Sequence, residues 1–159
     1  IIVPRHPQRF DEVAKLIESK NIAYVRRTSL SKPIDSATQV ILGDSMNELF
    51  TYYAACDFTF IGGSLLNFGG QNLIEAASLG KPILIGKYTF NFADASKNAV
   101  RAGAAIRFKN TDDLRESIVL LRDNLDKRQK MQQAALRFSE ASQGATLRIM
   151  KLIEEYLPV

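Results

Sequence analysis

Phe60-Ile61-Gly62-Gly63-Ser64-Leu65-Leu66-Asn67-Phe68-Gly69-Gly70-Gln71-Asn72-Leu73-Ile74-Glu75-Ala76 runs from an apolar strand through a glycine-rich loop into a helix. That step suits a phosphorylated sugar or nucleotide. Glycine has no Cβ, so backbone N–H groups at such a loop come close to phosphate oxygens. The free amides of a helix start, with the positive end of its dipole, favour the anion. One turn further in, the Glu75 carboxylate accepts hydrogen bonds from two vicinal hydroxyls, as on a ribose. The alternative is a loop whose glycines only make tight turns. Two Gly-Gly pairs bracketing an Asn-containing loop before a helix favour the ligand.

Outward from this stretch, short apolar runs alternate with amphipathic segments, the pattern of βα units on a parallel sheet. Strands are expected at Ile1–Pro4, Ile22–Val25, Gln39–Leu42, Asp57–Ile61, Pro82–Ile85 and Ala104–Phe108. A helix from Pro7 carries Phe10, Val13, Ala14 and Ile17 at helical spacing. Others are expected over Asn47–Ala55, Gln71–Leu79 and Phe92–Arg101, with Gly80 and Gly103 as stops. Ser29–Ala37 reads as a loop, and Tyr52 and Tyr53 as packing residues. The last third is helical. Thr111 followed by Asp112 and Asp113 marks a helix start with a stripe of Leu114, Ile118 and Leu121. Leu125–Glu140 and Gly144–Leu157 carry similar stripes, including Met131, Ala135, Phe138, Leu147, Met150 and Ile153. The expected fold is a doubly wound, mostly parallel α/β sheet with C-terminal helices. Ligands of such sheets bind beyond the carboxyl ends of the strands. Arg5-His6, Gly43-Asp44-Ser45, Gly62-Gly63-Ser64 and Gly86-Lys87 all follow expected strands, and one crevice is expected to gather them.

The chain has 159 residues, about one domain, with 46% hydrophobic and 24% charged residues, ordinary for a globular protein. A net charge of +4 suits an anionic ligand or an acidic membrane surface, and is too small to indicate nucleic-acid binding. Arg26-Arg27, the densest basic spot, reads as a solvated strand end. The single cysteine, Cys56, excludes an internal disulfide and a multi-cysteine metal site. No stretch approaches the roughly 18 apolar residues of a membrane span. Ile1-Ile2-Val3 reads as a buried strand with no initiator Met, so a domain of a longer protein is expected.

The glycine loop is not G-x-G-x-x-G, and neither a G-x-x-x-x-G-K-[ST] loop nor a G-x-S-x-G elbow occurs. With no Asp-x-Asp pair to hold a divalent cation, a departing phosphate must be met by amides, a helix start and basic side chains. No metal or cofactor is expected. Pro4-Arg5-His6-Pro7 is a second candidate: two prolines hold a cation and the only histidine at a strand end, where Arg5 suits a phosphate or base carbonyl and His6 a phosphate oxygen. A rigid turn with solvated charges is the plainer alternative. Phe90 and Phe92 read as core or domain-interface residues.

In order and spacing, Pro4-Arg5-His6-Pro7, Gly43-Asp44-Ser45-Met46-Asn47-Glu48-Leu49, Tyr53-Ala54-Ala55-Cys56-Asp57, Gly62-Gly63-Ser64, Gly69-Gly70-Gln71-Asn72-Leu73-Ile74-Glu75, Gly80-Lys81-Pro82 and Phe90-Asn91-Phe92 cover nearly the whole chain. Together they resemble the C-terminal domain of the 3-deoxy-D-manno-octulosonic acid (Kdo) transferases, which have the GT-B glycosyltransferase fold. The resemblance implies that residues 1–159 form the donor-binding half of a two-domain enzyme using cytidine monophosphate-Kdo (CMP-Kdo). It implies that Arg5 touches the nucleotide, that Gly63, Ser64 and the Gly70-Gln71-Asn72 helix start hold its phosphate, and that Glu75 holds the ribose. It implies inverting transfer to a lipid A precursor in lipopolysaccharide assembly, without a required metal, at the cytoplasmic face of the bacterial inner membrane. The catalytic base and membrane anchor then belong to an N-terminal domain. The family commonly has His where Gln71 stands and Pro where Ala76 stands. Gln71 still donates a hydrogen bond but carries no proton at neutral pH.

Two rivals remain at this level. One is another GT-B enzyme using a uridine nucleotide sugar, a glycosyltransferase or a 2-epimerase. The other is a non-catalytic α/β binding module.

Overall fold

The computed structural model describes residues 1–142 and 145–157, with side chains at 145–148 excepted. The chain divides into two units, Ile1–Cys56 and Asp57–Val159. Both have the parallel α/β character expected from the apolar runs.

In the first unit a 3-10 turn at Pro7–Arg9 leads into α1 (Phe10–Ser19). Proline opens that turn where an N–H has no partner in any case. Helix α1 buries Ala14 and Ile17, which with Leu42 form a small core packed by Val13, Ile22, Tyr24 and Val40. Strands β1 (Tyr24–Arg26) and β2 (Val40–Leu42) pair in parallel, with Tyr24 opposite Val40 and Arg26 opposite Leu42. The expected first strand is reduced to a parallel bridge between Ile2 and Leu42. Two bonds close it, Ile2 N–H to Ile41 O at 2.9 Å and Gly43 N–H to Ile2 O at 2.8 Å. Pro4 has no N–H with which to extend the ladder. Helix α2 (Leu49–Ala55) starts two residues later than expected, because Asn47 sits in the left-handed region at φ 62°. Tyr52 and Tyr53 are buried, as their packing role requires.

In the second unit β3 (Thr59–Phe60), β4 (Ile83–Ile85) and β5 (Ala105–Arg107) form a parallel sheet in that order. Central β4 is buried at all three positions. A strand covered on both faces has no polar positions, which is why Ile83-Leu84-Ile85 does not alternate. Each of these side chains contributes about 1.5–3 kcal/mol by burial. The chain crosses from β3 to β4 through α3 (Ile74–Ser78), and from β4 to β5 through α4 (Ala93–Arg101). Helices α5 (Thr111–Asp123), α6 (Leu125–Ala141) and α7 (Ala145–Tyr156) complete the unit. Leu84, Phe108, Leu121 and Met131 form the main core, with Phe58, Leu65, Ile106 and Leu114 packed against it.

Local chemistry explains the boundaries. Asn110 caps α5 by accepting from the N–H groups of Asp112 and Asp113, both at 2.9 Å, one residue before the expected start. Asn124 caps α6 through the Lys127 N–H at 2.8 Å. Gly80 follows α3 in the left-handed conformation, as the stop signal implied. Two expected stripes are corrected. Ile118 is 38% exposed, so α5 turns only Leu114 and Leu121 inward, and Met150 and Ile153 of α7 are about half exposed. Gly144 and the Leu147 side chain lie outside the described residues. Among the described residues no helix is long and apolar enough to cross a membrane.

Candidate nucleotide-binding site

The glycine-rich stretch follows β3, and one serine fixes its shape. Ser64 is fully buried. Its hydroxyl donates to Ile61 O at 2.6 Å and accepts from Gly86 N–H at 2.8 Å. Its carbonyl accepts from Tyr88 N–H at 3.0 Å. The Ser64 side chain is therefore turned inward and engaged by the fold, and it seats the loop on the carboxyl end of β4. Gly86 makes that contact possible, because a Cβ there would overlap the Ser64 carbonyl group.

The second glycine pair is held just as tightly. Gly70 N–H donates to Gly63 O at 3.0 Å, and Asn91 N–H donates to Gly69 O at 3.2 Å. The Asn91 side-chain amide donates to Phe68 O at 3.2 Å. Gly69 and Gly70 both adopt left-handed backbone, at φ 83° and 75°, where a side chain is strained. Gly63 and Gln71 come together, since a Cβ on Gly63 would lie 3.8 Å from Gln71 Nε2. This sets a neutral donor beside the first glycine pair.

The helix expected from Gln71 begins only at Ile74 and has five residues. An axis that short sums few peptide dipoles, so the helix-dipole part of the expected phosphate site is corrected to a minor one. Individual groups carry it instead. Asn72 Oδ1 accepts from Ile74 N–H at 3.0 Å, a turn that replaces the missing helical residues. Asn72 Nδ2 donates to Glu75 Oε1 at 2.9 Å. One carboxylate oxygen of Glu75 is thereby held in place, while Oε2 has no protein donor among the described residues. A half-buried carboxylate with one oxygen fixed and one open is suited to accept from sugar hydroxyls.

Two basic groups frame the same edge. Arg107, at the end of β5, donates to Gly86 O at 3.0 Å and to Thr89 Oγ1 at 3.2 Å. The Lys87 ammonium lies 4.9 Å from the Tyr88 ring centre and is exposed. Arg107 is not among the site residues that the sequence indicates, and its one signal is a cation inside an otherwise apolar strand.

Arg5 and His6 belong to the first unit, as does Gly43-Asp44-Ser45; Gly62-Gly63-Ser64 and Gly86-Lys87 belong to the second and do meet. Arg5 and His6 are exposed, and among the described residues Arg5 makes no ion pair. The loop after β2 is elaborately fixed. Buried Asp44 accepts from Thr28 N–H at 2.9 Å and from the Thr28 hydroxyl at 2.7 Å, with Arg26 at 3.6 Å. Arg27 pairs with Glu48 at 2.9 Å, and Glu48 in turn accepts from Ser45, whose hydroxyl also meets the Tyr52 hydroxyl. Arg26-Arg27 is thus no solvated strand end. Both guanidiniums pin carboxylates of the loop, Arg26 also reaching Asp11 at 2.5 Å.

A parallel α/β unit here presents a glycine loop, a carboxylate with one open oxygen and basic groups at the strand ends. The model of the family described as "Glycosyl transferases group 1" matches residues 18–138, and the chain belongs to this family. It is 41% identical over 157 residues to a 3-deoxy-D-manno-octulosonic acid transferase of Bordetella pertussis, covering 99% of this chain and 37% of that protein. A protein of the same name from Haemophilus influenzae is 35% identical over 158 residues, with the same coverage. The chain thus spans a little over a third of the length of these relatives. Among solved structures, the C-terminal CMP-Kdo binding domain of WaaA from Acinetobacter baumannii matches with a TM-score of 0.79 and 29% identity, over 86% of this chain and 72% of that one. The expected resemblance and the α/β half of a GT-B fold are both upheld.

Two outcomes follow from this geometry. Ser64→Ala leaves Gly86 N–H without its acceptor and is expected to lower stability by about 1–3 kcal/mol in urea unfolding. Burial acts first on Asp44 and favours its neutral form, but the Thr28 hydroxyl and amide, its own amide and Arg26 outweigh it and hold the carboxyl below its usual range. A depressed folded-state value adds stability that is complete above the unfolded value, about 3.9, and is lost as pH falls through the folded one. Asp44→Asn is expected to lower Tm at pH 7 and to flatten the acid limb below about pH 4, read by thermal melts from pH 7 to 2.5.

Proposed function

We propose that this chain is the donor-binding part of a Kdo transferase, holding CMP-Kdo while an acceptor hydroxyl takes the sugar. The observation that carries the reading is the 41% identity maintained across 99% of the chain to a protein of that name. The site geometry supports it. Glu75 Oε2 accepts from the ribose, and Asn72 keeps the carboxylate oriented. The Gln71 side chain beside Gly63, with exposed Lys87, meets the phosphate. Fixed donors of this type contribute a few kcal/mol each where charge develops.

In the proposed reaction the acceptor oxygen forms a bond to the Kdo anomeric carbon as the bond from that carbon to the phosphate oxygen breaks. The electron pair leaves with cytidine monophosphate, and the configuration inverts. The acceptor proton goes to a carboxylate base supplied by the N-terminal part of the full-length enzyme. The acceptor is a lipid A precursor, and the full-length protein works at the cytoplasmic face of the inner membrane. No metal is needed by the reaction as proposed, so chelation leaves transfer unchanged.

Adding cytidine monophosphate to the domain is expected to shift amide NMR signals at Gly63, Gln71, Asn72 and Glu75, and uridine monophosphate to do so far more weakly. Equal response to both nucleotides favours a uridine-sugar enzyme; response to neither favours a non-catalytic module. In the full-length enzyme, Glu75→Ala is expected to reduce kcat/KM for CMP-Kdo by about 10- to 100-fold, or about 1.4–2.7 kcal/mol. Unchanged turnover removes the ribose contact. The isolated domain, lacking the base, is expected to transfer nothing in a direct assay with donor and acceptor.

A further inference from the structure

One guanidinium nitrogen closes the turn that leaves β4. Arg107 Nη1 donates both to Gly86 O at 3.0 Å and to Thr89 Oγ1 at 3.2 Å, and so spans the two ends of residues 86–89. The donor comes from β5, whose register sets Arg107 beside Ile85, the last residue of β4. Ser64 holds the other side of the turn: Gly86 N–H reaches its hydroxyl at 2.8 Å and Tyr88 N–H its carbonyl at 3.0 Å. Gly86 and Thr89 are buried, whereas Lys87 at the tip is exposed. The Lys87 ammonium lies 4.9 Å from the Tyr88 ring centre, a cation–π contact that directs the side chain. The same turn is a floor for the second glycine pair, since a Cβ on Gly70 would lie 3.4 Å from Tyr88 O. Beyond it Phe92 N–H donates to Thr89 O at 2.9 Å. Phe90, expected in a core or at a domain interface, is 62% exposed and so outside the core.

We propose that Arg107 is a positioning residue for the donor phosphate, acting through Lys87. The inference rests on the donor-binding reading above, in which Lys87 meets that phosphate. A lysine ammonium is a point charge on a flexible stem, so the backbone that carries it decides where it points. Here that backbone is fixed on both sides of the tip, and one side depends on Arg107. Hydrogen bonds from an ionised donor are stronger than those between neutral groups, which suits a bridge across a solvent-facing turn. The bridge is also separable from the guanidinium's charge. Thr89 is 8% exposed, so its hydroxyl serves Arg107 rather than a ligand. Replacing Thr89 with valine therefore removes one end of the bridge and alters no charge at the site.

The test uses the full-length enzyme carrying Thr89→Val, Arg107→Gln or both. With no ligand present, amide hydrogen exchange over residues 86–92 is expected to accelerate in each variant. Affinity for cytidine monophosphate is expected to fall about threefold in Thr89→Val and about tenfold in Arg107→Gln, the double variant being no weaker than Arg107→Gln alone. Affinity for cytidine, which has no phosphate, is expected to stay within about twofold and so reports correct folding. Lys87→Met is expected to weaken cytidine monophosphate at least as much as Arg107→Gln, and in its background neither other substitution weakens it further. Unchanged exchange in both variants overturns the proposal. Wild-type affinity in Thr89→Val beside a loss in Arg107→Gln assigns Arg107 a direct or purely electrostatic part, and losses that add to that of Lys87→Met assign a route other than Lys87; either overturns it. A parallel loss of cytidine affinity makes the effect a general loss of structure and overturns it as well. If wild-type enzyme itself fails to bind cytidine monophosphate, the donor-binding reading fails first, and that result, seen without any variant, is separate from all the others.

Discussion

The close approach of Gly86 to Ser64 governs the second unit's working edge. With no Cβ at Gly86, its N–H reaches the Ser64 hydroxyl, and the Tyr88 N–H reaches the Ser64 carbonyl. A buried hydroxyl that both donates and accepts avoids the penalty of an unpaired polar group, about 1–3 kcal/mol. From that clamp the remaining contacts follow in sequence. Arg107 closes on Gly86 O and Thr89, Thr89 precedes the Phe90–Phe92 turn, and Asn91 returns to Gly69. The glycine loop that follows β3 is consequently anchored to the end of the buried strand β4 rather than a free connection. Loops that bind ligands work best when a rigid scaffold aims them.

In the proposed reading, such rigidity changes how the anion is met. The sequence pointed to a helix dipole, yet helix α3 is a turn and a half long and starts after the polar residues. The chain places discrete donors there instead, with Gln71 beside Gly63, and Asn72 bracing the carboxylate of Glu75. Donors already held in place lose little entropy when a ligand arrives, and each hydrogen bond to a charged oxygen is worth more than one between neutral groups.

What the sequence made legible was set by composition and periodicity. Runs such as Ile83-Leu84-Ile85 have one physical outcome in an α/β chain, and Gly80 after Leu79 stops a helix wherever it packs. Two kinds of feature were hidden. Strand and helix ends depend on single hydrogen-bonding groups: Pro4 ends a ladder, Asn47 delays α2, and Asn72 takes over a turn assigned to α3. The inward turn of Ser64 depends on Gly86, 22 residues away, and no local pattern announces it. The pairing of Arg26 with Asp44 and of Arg27 with Glu48 was hidden for the same reason, since partners 18 and 21 positions apart share no period.

The glutamine at position 71 then becomes intelligible in the proposed reaction. A histidine there offers a proton as well as a hydrogen bond, whereas glutamine offers only the bond. General acid catalysis helps most when the leaving group is a strong base. Cytidine monophosphate is a weak one, a phosphate whose second pKa is about 6, and it departs at neutral pH without being protonated. In that proposal the departing phosphate requires a donor at a fixed distance, a part we assign to Gln71, which lies beside Gly63 on a loop anchored to β4. On the same proposal, position 71 can lose the proton because the leaving group does not need it, while loss of the hydrogen bond removes the contact itself.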